Sequence, residues 1–453
     1  MIISQLKKGD QYDGLVRIDT VSRPGPFIYA VSDGTGSIDA VTHSYEAEKD
    51  IVVRLKGTVE DRNGKLQIRV SSLKQEEVPF DEIVRSNRES QQRPLSIQSQ
   101  TLASGRDTIS EIARKLMDEA AKGSAFLIRA HGDADGITGW ISLHRALSSH
   151  NASSKIFTNI SKLPFYQYDD AMRDLSLLSR FSDACLVLVD NGSTKDDSAA
   201  CRLVASAGIT VIVIDHHAPV DEASEGRALH LSPHLFGGDE NLPAGALAYE
   251  VARQVDPSMD DPALPGISCV GDKCSGDIAE AYISNTGKDR EALFRYARAI
   301  DFLAYHLRFD SPLHLYERLL KDPTFSSEVM EHAEALMDKA VKRQQLRKDT
   351  VGETLVCQFD VEAEGFPPAG KIVGAVFESL REEAEDIVLV GIIDDLLIVR
   401  STGPILFEWH AAMQDIEEVS GGGHPHAGTL RVKSTSKAFE TLHDILRKKS
   451  ENS

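Results

Sequence analysis

Ala125-Phe126-Leu127-Ile128-Arg129-Ala130-His131-Gly132-Asp133-Ala134-Asp135-Gly136 is the stretch on which the fold turns. An apolar run, Ala125 to Arg129, predicts a strand, and Ile137 to Leu147 predicts a helix. The turn between them holds one imidazole and two carboxylates at alternate positions, where a parallel strand ends. In open α/β sheets that edge is where ligands bind. Two anions and an imidazole aimed at one point repel unless a cation sits between them. Asp and Gly are also ordinary turn residues, so the loop alone leaves a plain turn and a metal site both open.

Working outward, the same pattern returns. Cys185 to Val189 ends at Asp190, Thr210 to Ile214 ends at Asp215-His216-His217, and Ile267 to Val270 leads to Gly271-Asp272. Between the first two lies Lys195 to Ala207, a helix stopped by Gly208. Strand, helix, strand at this spacing means a parallel sheet with right-handed crossovers. A single Asp at a strand end commonly caps the next helix. Repeated endings of this kind place the groups on one rim, and carboxylates mixed with imidazoles suit manganese or magnesium better than zinc.

Length and composition frame these motifs. A chain of 453 residues is long enough for two or three domains. A hydrophobic fraction of 41% and a charged fraction of 26% belong to a soluble globular protein. No run of about 18 apolar residues is present, so no membrane span is expected. The start, Met1 to Lys8, lacks the features of a signal peptide. Five scattered cysteines point to a reducing cytoplasm rather than a disulfide scaffold, and Cys269 and Cys274 read as small buried residues. The net charge of −20 is unusual for a partner of polyanions. It either argues against nucleic acid or requires local binding on an otherwise acidic surface, such as a salt-rich cytoplasm accompanies.

Residues 1–78 are expected to form a small all-β domain. Short strand-like runs alternate with turn signals at Asp13-Gly14, Pro24-Gly25-Pro26 and Asp33-Gly34-Thr35-Gly36. Asn63-Gly64 joins Val53 to Val59 with Leu66 to Leu73 as a hairpin. Its size and the Val31-to-Ile38 pattern resemble the OB-fold of nucleic-acid-binding domains. That resemblance makes Phe27 and Tyr29 candidates for base stacking, with Arg54, Lys56, Arg69 and Lys74 near phosphates. The plainer reading leaves the two aromatics between core and surface, binding nothing. Eleven Lys and Arg stand against twelve Asp and Glu here, so the domain is not a basic patch. Residues 79–105, rich in Ser, Gln and Arg, predict a linker or loosely ordered arm. Residues 106–290 are the parallel-sheet domain and 291–350 a helical connector. Residues 351–453 form a smaller mixed α/β lobe, with strands at Ile387 to Ile393 and Leu396 to Val399 and helices at Lys371 to Ala384 and Lys437 to Lys448.

The set as a whole, His-x-Asp-x-Asp-Gly at 131–136, Asp190, Asp215-His216-His217 and Gly421-Gly422-Gly423-His424, resembles the DHH-family phosphoesterases. Within them it is similar to the archaeal relatives of the RecJ single-strand exonucleases, over residues 106 to 445 in motif order. His131 stands where some members have Asp. The resemblance implies an α/β fold and two divalent ions, manganese first and magnesium second. It assigns His131, Asp133 and Asp190 to one ion and Asp135, Asp190, His216 and Asp272 to the other, Asp190 bridging. It leaves His217 for the scissile phosphate or the leaving oxygen, with Asp215 orienting a neighbouring histidine. It makes Gly421, Gly422, Gly423 and His424 a phosphate cradle and Arg400-Ser401, just after a strand, a phosphate grip. A flexible loop is the plain alternative for the glycines. Pro243 to Ala246 is a further candidate for shaping a substrate groove.

The function implied is two-metal hydrolysis of single-stranded DNA or RNA from an end, in repair, recombination, replication or RNA turnover. A phosphoesterase for short oligonucleotides or cyclic dinucleotides is the second reading. A replication scaffold with weak or absent activity is the third, though every expected ligand position is filled. Partners implied are single-stranded nucleic acid and replication or repair proteins, with no membrane.

Overall fold

Three sheets carry the chain in the computed structural model, and each is built by a different rule. The structure describes residues 2–451 apart from 24, 63, 92, 151–154, 162, 164, 220–228 and 308–312, and leaves out the side chains of 5, 85, 88–91, 150 and 424. The chain divides into two units, Met1–Pro94 and Leu95–Ser453.

The first unit is a closed barrel of β1 (Gln11–Ser22), β2 (Phe27–Ser32), β3 (Ser37–Thr42), β4 (Val52–Arg62) and β5 (Lys65–Gln75), followed by α1 (Phe80–Gln91). Strand order is β1-β2-β3-β5-β4. The β3–β5 pair is parallel and the others antiparallel. Arg62 pairs with Lys65 across a two-residue turn, as the hairpin signal predicts, although Asn63 itself lies outside the described residues, as does Pro24 of the earlier turn signal. Alternation puts Val16, Ile18, Tyr29, Val31, Val53, Leu55 and Ile68 inside.

Tyr29 is therefore a core residue, which overturns its candidacy for stacking bases. Its side chain is fully buried, its hydroxyl donates to the Tyr45 carbonyl at 2.9 Å and it accepts from the Ala47 amide at 3.0 Å. Phe27 shares that inward face, its ring nearly parallel to Tyr29 at 6.1 Å, while the Arg23 guanidinium covers it at 4.8 Å. Arg54 and Lys56 lie on the outer surface, both paired with Asp13 at 2.8 and 2.9 Å. Those two cations lower the Asp13 carboxyl to about 2. Arg69 and Lys74 pair with Glu60 and Glu76.

Residues 79–105 are more ordered than a linker. They include α1 and α2 (Gln100–Ser104), capped by the Ser99 hydroxyl, and Ile97 and Leu102 are buried in the core of the second unit. Apolar residues spaced for a helical face are too few here to stand out from the Ser and Gln around them.

After α2 the second unit continues with α3 (Arg106–Lys122), β6 (Ala125–His131), α4 (Ala134–His150), β7 (Ile156–Ser161), α5 (Tyr168–Leu178), β8 (Ala184–Val189), α6 (Lys195–Ser206), β9 (Thr210–Ile214) and β10 (Leu229–Leu231). The five strands are all parallel, in the order β10-β9-β8-β6-β7. Strands buried on both faces read as near-continuous apolar runs, which is why β6 and β8 stood out in the sequence. Phe126 and Ile128 pack with Trp140 and Ile141 of α4, whereas Leu127 packs with Leu178 of α5 and Val204 of α6. The helices thus cover opposite faces.

Next come α7 (Ala244–Val255), α8 (Ala263–Gly271) and α9 (Asp277–Asn285), then the connector, α10 (Arg290–Leu307), α11 (Leu313–Lys321) and α12 (Pro323–Arg343). The run Ile267 to Val270, expected to be a strand, is the last turn of α8. Leu264 through Val270 are all buried, and a short apolar run without a polar face does not distinguish strand from helix. The last lobe holds β11 (Arg347–Val351), β12 (Thr354–Asp360), α13 (Ala369–Leu380), β13 (Ile387–Ile393), β14 (Leu396–Ser401), α14 (Leu406–Gln414), β15 (Ser420–His424), β16 (Ala427–Arg431) and α15 (Thr435–Glu451). Its sheet order is β11-β12-β13-β14-β16-β15, with only β12–β13 parallel. Helix α13 covers one face and α14 with α15 the other. No helix among the described residues is long and apolar enough to cross a membrane.

The placement of Tyr29 makes a prediction. Tyr29→Ala should destabilise the barrel by about 3–5 kcal/mol through the cavity it leaves. Tyr29→Phe, which loses only the hydrogen bonds, should cost about 1 kcal/mol. Denaturant unfolding of the full chain measures both, and equal small effects would contradict an interior Tyr29.

Candidate metal centre

Strand order decides where the chemistry sits. Strand β6 lies between β7 and β8, so the chain leaves β6 toward one edge and later returns on its other side. Crossover helices depart on opposite faces at such a switch point and open a crevice at the carboxyl ends of the strands. His131 is the last residue of β6, Asp133 lies in the turn, and Asp135 is already in the first turn of α4. The helix starts three residues earlier than its apolar pattern indicated. Asp190 follows β8 directly, and Asp215, His216 and His217 follow β9. Asp272 arrives from elsewhere, as the residue capping the C-terminus of α8.

The side chains converge. His131 Nδ1 lies 3.0 Å from Asp190 Oδ2 and 3.2 Å from Asp133 Oδ2. His216 Nε2 lies 3.0 Å from Asp272 Oδ2, 3.4 Å from Asp190 Oδ1 and 4.0 Å from Asp135 Oδ2. Among the described residues three groups have ligand-type atoms all within 4.8 Å of one another: His131, Asp133 and Asp190; Asp135, His216 and Asp272; and Asp190, His216 and His217. Asp190 belongs to two of them. It sits at φ 57, a left-handed conformation that a non-glycine residue rarely adopts. Its Oδ1 is buried and accepts no hydrogen bond. A buried carboxylate oxygen left that way is costly unless a cation completes it. The donor set and this orphaned oxygen fit divalent metal.

Surrounding residues hold Asp135 and His216 in fixed orientations. Asp135 Oδ2 accepts from the Ala244 amide at 3.0 Å and Oδ1 from the Gly245 amide at 2.7 Å, both at the N-terminus of α7, and the Ser268 hydroxyl donates to Oδ1 as well. Pro243 to Ala246, a candidate for shaping a substrate groove, is therefore a buried anion seat beneath Asp135. A Cβ on Gly245 would fall 2.6 Å from the Asp135 carbonyl, so only glycine permits that approach. His216 Nδ1 meets the Glu240 carbonyl at 3.0 Å, which fixes Nε2 toward the carboxylates. Asp215 is fully buried and accepts from the amides of Ser193, His216 and His217 and from His217 Nδ1 at 2.8 Å. It orients a histidine rather than offering a ligand.

The close carboxylates shift the titration of the histidines among them. Burial works against a charged ring at His131, yet Asp133 and Asp190 lift its pKa well above the ordinary value. At His216 burial is likewise outweighed, by Asp272 and Asp190. Burial also opposes the charge on His217, but Asp215 raises it to about 9. Burial, Asp190 and Asp272 together push Asp135 well up, whereas His131 pulls Asp133 down against burial.

The C-terminal candidates are arranged differently from expectation. Arg400 and Ser401 lie within β14 rather than after it. Arg400 donates to its neighbour's carbonyl, Val399, at 2.8 Å, and burial lowers its pKa. Ser401 is buried and donates to the Gly403 carbonyl at 2.6 Å, so its hydroxyl is already engaged. Gly421 to Gly423 form neither a loop nor a cradle of three open amides. They are the edge strand β15, paired with β16, where successive amides alternate in direction. Gly421 and Gly423 have φ 137 and 139, and a Cβ on Gly421 would run into the Thr429 carbonyl. The side chain of His424 lies outside the described residues. Sequence reading missed Ser268, Asp301 and Lys371, which reach the site from helices without a local motif.

Residues 125–258 match the DHH family, N-terminal domain. An uncharacterized protein of Methanocaldococcus jannaschii is 29% identical over 91% of this chain and 65% of its own length, so the chain spans less than two thirds of that relative. A solved structure described as the DHH domain of a member of a ribosomal-protein family superposes with a TM-score of 0.73 at 22% identity, covering 81% of this chain and 97% of that one. RecJ from Thermus thermophilus, in complex with manganese, superposes with a TM-score of 0.56 at 18% identity, covering 80% and 56%. At these identities the likeness concerns the fold.

Because the neighbouring carboxylates raise the pKa of His131 and His216 well above the ordinary histidine value, Mn2+ affinity should rise with pH through and beyond that range, with protons released on binding. Calorimetry in buffers of different ionisation enthalpy measures both, and a flat profile without proton release would contradict the assignment. Ser268→Ala, which removes a donor to Asp135, should weaken Mn2+ binding by about 10- to 100-fold.

Proposed function

Residues 125–258 are a DHH-family domain, and on that premise we propose that the chain is a divalent-metal-dependent phosphodiesterase that degrades single-stranded nucleic acid from an end. The carrying observation is Asp190, a buried carboxylate at positive φ, shared by two cation-capable groups and leaving one oxygen without a hydrogen bond. His131, Asp133 and Asp190 would hold one ion, and Asp135, Asp190, His216 and Asp272 the other. Bound ions would supply an activated water and neutralise charge on the phosphoryl oxygens. Carboxylates and imidazoles without a thiolate favour manganese or magnesium.

The chain's own groups have separate tasks in this reading. Asp215 holds His217 through Nδ1, which sets Nε2 as the nitrogen for proton transfer to the leaving oxygen. Asp135 stays rigid on the α7 N-terminus. Arg400 offers a guanidinium to phosphate. The barrel, with Arg54 and Lys56 outside, would hold the strand once Asp13 shares those cations with phosphate. Docking on replication or repair proteins is compatible with this arrangement.

A second substrate class has its own support. Every candidate ligand, His217 and Arg400 belong to the unit Leu95–Ser453, so the chemistry does not itself require the barrel. Short oligonucleotides or cyclic dinucleotides would then suffice.

A timed digest of end-labelled single-stranded DNA and RNA, with manganese and with magnesium, tests both. Chelator should abolish cleavage and manganese restore it, and Asp190→Ala should fall to the chelated background while keeping the wild-type circular dichroism. Full activity in Asp190→Ala would overturn the assignment. Faster turnover of a dinucleotide than of a long strand would favour the second class.

A further inference from the structure

Lys371, near the start of α13, crosses from the C-terminal lobe to the metal centre. Its Nζ lies 2.8 Å from Asp301 Oδ2 of α10, and Asp301 Oδ1 accepts the Ala134 amide at 3.0 Å. Ala134 stands between Asp133 and Asp135, so one carboxylate joins the lobe's cation to the backbone of the ligand loop. The Asp301 side chain is 12% exposed and that of Lys371 37%, so the lysine is only half-buried where it meets the carboxylate. Asp133 and Asp272 are both within electrostatic reach of it. Lys273, beside Asp272 and tied to Glu378 of the same helix at 2.8 Å, lies in the field of Lys371 and Arg400.

Charge balance gives this arrangement a purpose. Asp133, Asp135, Asp190 and Asp272 carry the charge that two divalent ions would cancel. Once cancelled, those carboxylates no longer hold Lys371, and its ammonium, with three donors, keeps one carboxylate partner. A cation fixed beside a neutralised centre, with Lys273 in the field of both it and Arg400, suits an incoming phosphate. We propose that Lys371 is a phosphate-binding residue brought to the metal centre by the C-terminal lobe, with Asp301 as the positioning residue that holds its ammonium in place. The proposal rests on the phosphoesterase reading, because it takes the acidic cluster to be filled by metal.

The test measures binding apart from turnover. Thymidine monophosphate is titrated calorimetrically into the Mn2+-loaded full chain, and Mn2+ into the stripped chain. Lys371→Met should weaken nucleotide binding about tenfold or more, the loss of one charged hydrogen bond, while Mn2+ affinity is unchanged or tighter because a repelling cation is gone. Lys371→Arg should restore most of the nucleotide affinity. Asp301→Asn, which keeps an acceptor for the Ala134 amide, should weaken nucleotide binding with Mn2+ affinity retained. Nucleotide binding indifferent to Lys371 would overturn the proposal. So would a parallel fall in Mn2+ affinity and unfolding temperature in Lys371→Met, which marks a structural strut. If the wild type binds nucleotide through Lys371 yet cleaves no strand, the function reading fails and this one stands. If it cleaves strands with Lys371 replaced and binding intact, the reverse holds.

Discussion

Four carboxylates around one point repel each other, and the centre of this protein depends on how that repulsion is contained. Asp190 stands in the middle, in a backbone conformation that costs energy, with one oxygen that no donor completes. His131 approaches its Oδ2 and His216 its Oδ1, and the carboxylates raise the pKa of both rings against their burial. Burial magnifies every one of these interactions, because low local dielectric strengthens attraction and repulsion alike. Carboxylates and imidazoles held within 4.8 Å of one another are suited to divalent cations, and that is the physical core of the proposed function.

The rest of the second unit can be understood as support for that arrangement. The strand order opens the crevice between β6 and β8 and aims the strand ends into it. The α7 N-terminus and Ser268 hold Asp135, and Asp215 gathers three backbone amides and one imidazole. Neither set contacts substrate in this reading. The first removes freedom from the ligand Asp135, and precise ligand placement is what metal affinity requires, while the second fixes the ring of His217. The C-terminal lobe is fastened to the same place through Lys371 with Asp301 and Lys273 with Glu378. These pairs tie α13 to the loop and helix that carry Asp133 and Asp272.

Some expectations failed for reasons that can be stated residue by residue. Tyr29 sits in an apolar run, Phe27 to Val31, where no polar alternation marks which face is buried, and barrel closure turned its side chain inward. Ile267 to Val270 lacks a polar face because α8 is buried all round, so nothing in the run marks its helical period. The three glycines look like a loop, yet Gly421 and Gly423 are needed where β15 lies so close to β16 that a Cβ at either has no room.

What the sequence by itself determined is the local and the periodic: the barrel's hairpin, the apolar strands β6, β8 and β9, and the acidic or imidazole group at each strand's end. Those features depend on neighbours along the chain and on burial of whole strands, so composition and spacing carry them. Only the tertiary structure decided which groups meet. Asp272 comes from a helix end, Ser268 and the α7 N-terminus from beneath Asp135, and Asp301 and Lys371 from a connector and a separate lobe. Their separation from 131–136 runs to more than a hundred residues, and contacts at that range follow from strand order and helix packing, which leave no local motif.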